Sequence, residues 1–296
     1  MEKLFQGIFA ALTTPFEGNE VSLGRLKENI EKYNRTGLAG YVILGSTGEA
    51  VFLTDGESER VISAAVEAAT SDKIIIAGTS HESAKHTIEL SNLAADAGVR
   101  AVLIKPPHYY KSRMNAEALK SFYLTVAEHV KVPVLIYNFP QNCVIPVDPS
   151  LVVELARHPN ISGIKDSSGA LANLTEILPF VKPDFDFLVG HGSVVLPGLM
   201  MGASGGVLAM AAAAPELCAK LYELFRNGEI KAAKKLQFDL VPLNKALTQT
   251  LGIPAIKYAL DLRGFHGGEP RRPLLSLDEK GKNEVAGLLK KLAVIS

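Results

Sequence analysis

Short apolar runs and amphipathic stretches alternate along most of the 296-residue chain. The runs are Ile8–Leu12, Tyr41–Leu44, Ile74–Ala77, Ala101–Ile104, Val134–Tyr137, Ile161–Lys165, Phe185–Val189 and Gly205–Leu208. Each is rich in β-branched or aliphatic residues, ends in a polar or glycine-rich turn, and is followed by a helical pattern. Strands that read as continuous apolar segments are buried on both faces, the signature of a parallel sheet with crossover helices. Eight such units are the number that closes a (β/α)8 TIM barrel. An open doubly wound sheet has the same alternation, but no GxGxxG follows the first run.

The helices carry their own boundaries. Thr54-Asp55-Gly56-Glu57 reads as a capping box and Asp148-Pro149 as an N-cap followed by proline at the first helical position. Gly37 and Gly98 fall where helices should end before the next strand. After the eighth run only helical patterns remain, broken near Asn227-Gly228, at Leu251–Pro254 and at Gly264–Pro273. The expected division is a barrel over 1–226 and a C-terminal helical extension over 227–296, packed on the barrel as one structural unit.

Composition narrows the class. Apolar residues make up 47% of the chain, and 31 Lys plus Arg balance 31 Asp plus Glu, so no basic field points to nucleic acid. Cys143 and Cys218 lie far apart, which fits free thiols in a reducing compartment better than a disulfide framework. The start, Met1-Glu2-Lys3-Leu4-Phe5, has no leader character. The longest uncharged stretch, Phe187–Pro215, is broken by His191, Pro197 and several glycines, so no membrane span is expected. Cytoplasm is the default location. The seven histidines show no HExxH. His81 and His86, five apart on a predicted helix, do not share a face, so no metal site is expected.

In a barrel of this kind chemistry gathers on the loops leaving the carboxyl ends of the strands. Those loops include Thr13-Thr14-Pro15, Gly45-Ser46-Thr47-Gly48-Glu49, Lys105–Tyr110, Tyr137–Pro140, Lys165–Ser168 and Gly190–Ser193. Lys165 ends an apolar strand. Burial there would disfavour its ammonium form and make it an amine nucleophile; the alternatives are a head that reaches solvent or pairs with Asp166. Tyr137 ends the preceding strand, so its phenol should stand close to that amine, with Thr47 and Tyr109 as hydroxyls able to relay a proton. Gly45–Glu49 can aim N–H groups and two hydroxyls at one anion, a carboxylate rather than a polyphosphate, since the Walker lysine is missing.

Taken together, Gly7–Phe16, Gly45–Glu49, Tyr109-Tyr110, Tyr137-Asn138-Phe139-Pro140 and Ile164–Gly169 resemble the pyruvate-dependent class I aldolases of the dihydrodipicolinate synthase and N-acetylneuraminate lyase family. The resemblance implies a Schiff-base lysine at Lys165, a proton-shuttling phenol at Tyr137 and a substrate carboxylate held by Ser46 and Thr47. It also implies that Tyr109 reaches across a dimer interface, that Gly190 and Leu208 line the pocket, that no cofactor is needed, and that the assembly is a homotetramer built of two dimers. The lysine-biosynthetic synthases carry an arginine five residues after the tyrosine to bind the second substrate's carboxylate. Asn142 stands there in this chain and cannot supply a bidentate charged fork. Gly252-Ile253-Pro254, Gly264–Gly268 and Arg272-Pro273-Leu274 look like the 4-hydroxy-2-oxoglutarate aldolases, in which Ser167 would be a pocket hydroxyl. The implied reaction is cleavage or formation of a carbon–carbon bond next to a 2-oxo acid, with pyruvate as the retained fragment. Dihydrodipicolinate synthesis, a sugar-acid aldolase or dehydratase, and a non-catalytic ligand-binding barrel remain as alternatives.

Overall fold

The computed structural model describes residues 3–295. Met1, Glu2 and Ser296, the outer ends of the N-terminal segment and of the helical extension, lie outside the described residues. Eight parallel strands close on themselves: β1 (Gly7–Ala11), β2 (Gly40–Ile43), β3 (Ile74–Gly78), β4 (Ala101–Ile104), β5 (Val134–Asn138), β6 (Ile161–Asp166), β7 (Asp186–Val189) and β8 (Gly205–Leu208). Every one overlaps a run expected from the sequence. β1 closes the ring by pairing with both β2 and β8.

Side-chain alternation along the strands builds two layers. Phe9, Val42, Ile76, Leu103, Leu135, Tyr137 and Val207 point into the barrel, while Ile8, Ile43, Val102, Ile136, Ile164 and Leu208 face the helices. At the amino end of the strands the buried carboxylate of Asp186 accepts hydrogen bonds from the N–H groups of Leu4 and Phe5, both at 3.1 Å. Those bonds draw the N-terminal segment under the barrel, where Phe5 packs edge-on against Phe9.

Helices α1 (Leu23–Tyr33), α2 (Asp55–Ala68), α3 (Ala84–Ala97), α4 (Ala116–His129), α5 (Pro149–Leu155), α6 (Leu171–Ile177), α7 (Val195–Met200) and α8 (Pro215–Arg226) follow the strands in turn. Beyond them lie α9 (Ile230–Lys245), α10 (Ile253–Leu262) and α11 (Glu279–Lys291). Gly98 caps α3 in the left-handed conformation as expected, but α1 ends at Tyr33 with Asn34 as its cap, so Gly37 belongs to the following loop. A two-residue hairpin, Phe16–Glu17 with Glu20–Val21, was not legible in the alternation because each arm is too short to show a period. Among the described residues no helix is long and apolar enough to cross a membrane.

The capping box of α2 forms in full. Thr54 Oγ1 accepts from the Glu57 N–H at 3.3 Å and Glu57 Oε2 accepts from the Thr54 N–H at 2.8 Å. Glu57 is also gripped by Arg271, whose hydrogen bonds pull its pKa down to about 2. Thr54→Ala should therefore lower stability by about 1 kcal/mol, the usual worth of an N-cap, read as a lower urea midpoint at unchanged slope.

Candidate active site

Pairing between β5 and β6 sets Tyr137 opposite Lys165 and Asn138 opposite Asp166. Tyr137 points inward, and the Lys165 Nζ lies 4.1 Å from the centroid of its ring. Lys165 is 4% exposed. Burial disfavours its ammonium form and lowers its pKa to about 7, so a large share of the amine is uncharged at neutral pH. The same burial pushes the Tyr137 phenol up to about 12, opposed by hydrogen bonds with the Ser46 and Ser167 side chains. The phenol keeps its proton while its neighbour sheds one.

Asp166 does not neutralise Lys165. Alternation turns it to the other face, where it accepts from Asn173 Nδ2 (2.7 Å), the Ser168 N–H (2.7 Å) and Asn138 Nδ2 (3.3 Å). Those bonds shape the turn that presents Ser167, which is buried and whose N–H donates to the Asn138 carbonyl at 2.8 Å. Gly190 sits against it: a Cβ at that position would meet Ser167 Oγ at 2.0 Å. Any side chain there would displace the hydroxyl.

Gly45–Glu49 forms a tight turn after β2, bracketed by two non-glycine residues in the left-handed region, Leu44 at φ 53° and Glu49 at φ 56°. Each such residue costs on the order of 1–3 kcal/mol and persists only where its surroundings over-determine it. The N–H groups of Gly48 and Glu49 bond back to the carbonyls of Gly45 and Ser46. What the turn can offer an anion is therefore the N–H and hydroxyl groups of the half-buried Ser46 and Thr47. Ser46 and Tyr137 line a cavity of about 430 Å³ that extends to Lys105, His108 and Glu82. A larger groove of about 980 Å³ beside the hairpin, lined by Glu57, Arg60 and Arg271 among others, contains none of these groups.

Three expected positions lie at the margin of this arrangement. Tyr109 is 75% exposed, held out on a loop whose His108 and Tyr109 N–H groups both donate to Glu82 Oε2 at 2.9 Å. Asn142 is exposed on the short helix Pro140–Cys143 and does not line the cavity. Leu208 turns its side chain to the helix layer, so only its main chain can face the barrel interior. The histidine expectation is corrected. His81 precedes α3, which starts at Ala84 behind the Ser83 cap, and its ring stacks on that of His86 with centroids 3.5 Å apart. With Asp55 Oδ2 at 3.1 Å from His86 Nε2, three potential ligand atoms lie within 4.8 Å of one another. The rings are nearly parallel, at 12°, so as they stand their in-plane lone pairs do not converge on one ion. The sequence reading missed Lys257 altogether; its only signal was a lone cation in the apolar run Ile253–Leu262.

Residues 4–292 match the model of the Dihydrodipicolinate synthetase family. The chain belongs to that family. It is a class I aldolase-type enzyme, a carbon–carbon lyase of the lysine Schiff-base kind. It is 36% identical to the 4-hydroxy-tetrahydrodipicolinate synthase of Archaeoglobus fulgidus over 295 residues, 99% of this chain and 100% of the relative. Identity to the synthase of the same name from Thermoanaerobacter sp. is 32% over 294 residues, 99% of this chain and 98% of the relative. Among solved structures, dihydrodipicolinate synthase from Aquifex aeolicus superposes with a TM-score of 0.93 at 28% identity, covering 98% of this chain and 99% of that one.

The geometry sets the behaviour of the amine in isolation. Site-resolved reductive methylation of Lys165 should reach half its maximal rate near pH 7, rising with pH as the ammonium loses its proton. A midpoint near the ordinary lysine value of 10.5 would show that burial does not act as described.

Proposed function

We propose that the barrel mouth around Lys165 and Tyr137 takes a 4-hydroxy-2-oxo acid and cleaves it to pyruvate and an aldehyde. The observation that carries this reading is the juxtaposition of a buried, weakly basic Lys165 with the protonated Tyr137 phenol. Ser46 and Thr47 hold the substrate carboxylate. Neutral Lys165 attacks the keto carbon, and loss of water leaves an iminium. That iminium draws electrons from the adjacent bond: deprotonation of the 4-hydroxyl breaks the C3–C4 bond, releases the aldehyde and leaves an enamine. Tyr137, with Thr47 in the relay, moves the proton taken from the hydroxyl to the enamine carbon. Water then hydrolyses the pyruvyl imine and frees the amine. Ser167, buried beside the Tyr137 phenol, hydrogen-bonds the departing oxygen in this reading. Tyr109, exposed in the single chain, completes the site of a partner subunit in a homotetramer.

The names of the relatives favour a second reading, 4-hydroxy-tetrahydrodipicolinate synthesis, in which the pyruvyl enamine is captured by a second substrate instead of being released. Against it stands Asn142, an exposed amide at the position where the family resemblance leads one to expect an arginine in a lysine-biosynthetic synthase. Product analysis across a panel of 2-oxo acids and aldehydes separates cleavage, synthesis and dehydration.

Borohydride reduction with pyruvate should add the mass of a reduced pyruvyl adduct to the Lys165 peptide, and Lys165→Ala should abolish both adduct and turnover. Tyr137→Phe should keep the adduct yet lose roughly 10²–10⁴ in rate, the usual contribution of general acid–base catalysis. Below about pH 7 the rate of adduct formation should fall tenfold per unit, because only the unprotonated amine reacts, and level off above it. An adduct on another lysine, or full activity in Lys165→Ala, would end this reading.

A further inference from the structure

We infer that Lys257, carried by α10 in the C-terminal helices, is a positioning residue for the substrate: through Glu49 it fixes where the Ser46–Thr47 turn presents its hydroxyls. This rests on the reading that the turn holds the substrate carboxylate. Lys257 and Glu49 are both fully buried, and Nζ lies 2.7 Å from Glu49 Oε1. Stripping water from two charges is costly unless their remaining bonding capacity is filled; the ammonium's is, whereas Glu49 Oε1 meets the Lys257 charge without an aligned hydrogen bond. Lys257 Nζ also donates to the carbonyls of Thr14 (2.9 Å) and Glu269 (3.0 Å) and stands over the face of Phe16, 4.3 Å from the ring centroid. Glu49 Oε2 accepts from the Arg271 N–H at 2.8 Å.

Glu49 is also the left-handed residue that ends the turn. The turn's own hydrogen bonds set its shape but not its place in the barrel mouth. Place comes from outside. Thr14 Oγ1 donates to the Gly48 carbonyl at 2.7 Å, while the Thr14 carbonyl is held by Lys257, which in turn holds Glu49. The loop after β1, the turn after β2 and α10 thus meet at one ammonium. Behind it the chain is tightly closed: a Cβ at Gly267 would meet the Lys257 carbonyl at 1.9 Å. Shifting the ammonium moves Glu49, and Glu49 lies two residues from Thr47.

A purely architectural ion pair predicts a different result from a positioning one. Removing either charge alone strands the other in the core, so the deciding variant is the neutral pair Glu49→Gln with Lys257→Met. It should fold with a thermal midpoint near that of the parent and retain borohydride trapping at Lys165 with the midpoint near pH 7. The pyruvate concentration for half-maximal trapping should rise at least about tenfold, within the ~10²-fold that a misplacement of 1 Å can cost. Thr47→Val, which removes a turn hydroxyl directly, provides the reference. A rise in both variants supports the inference. A rise in Thr47→Val alone overturns the role of Lys257 while leaving the carboxylate reading intact, and no rise in Thr47→Val overturns that reading and the inference with it. Should the neutral pair fail to fold, Glu49→Asp decides in its place: it keeps both charges but shortens the carboxylate's reach to Lys257, and unchanged half-saturation there overturns the inference.

Discussion

An amine that must stay uncharged in water near neutral pH has to be removed from water, and the structure is arranged around that one desolvation. Lys165 lies near the end of β6 inside a closed barrel, 4% exposed, with the adjacent Asp166 carboxylate turned away from it. A lysine ion-paired with Asp166 would have kept its proton. Strand alternation prevents this by turning the adjacent acid to the helix face, where Asn138, Asn173 and Ser168 satisfy it. The barrel thereby converts a sequence neighbour into a remote group and a residue 28 positions away, Tyr137, into the partner.

Burial acts on the two members of that pair in opposite senses, and this is what makes them complementary. Desolvation disfavours whichever form is charged: the ammonium of the lysine, the phenolate of the tyrosine. One pKa falls to about 7 and the other rises to about 12, so the amine loses its proton in the same environment that holds the phenol's in place. No separate device is needed for each group. Family membership and the full-length match to solved barrels agree with this chemistry.

The mouth of the barrel is less economical. Leu44 and Glu49 adopt backbone conformations that L-residues avoid, and a buried ion pair crosses from α10 to hold one of them. Strain and buried charge both destabilise unless neighbouring groups compensate, and here the two coincide at the turn carrying Ser46 and Thr47. The C-terminal helices are thus tied to the site by more than apolar packing.

Much of this was readable from the chain itself. The eight strands follow from continuous apolar runs, because a parallel strand is buried on both faces and so loses the polar alternation of a half-exposed one. Lys165 and Tyr137 were legible for the same reason: each is the first polar group at the end of such a run. Contacts that link distant segments were not. That His81 stacks on His86 depends on where the Ser83 cap starts α3, and that Leu208 faces outward depends on which parity of β8 enters the barrel. The joining of Thr14, Glu49 and Lys257 spans more than 240 residues and leaves only an isolated lysine as its trace. Local pattern determined which residues are buried and where elements begin. Closure of the barrel alone decided which buried groups meet, because that choice is made by register and by loop geometry rather than by hydrophobicity.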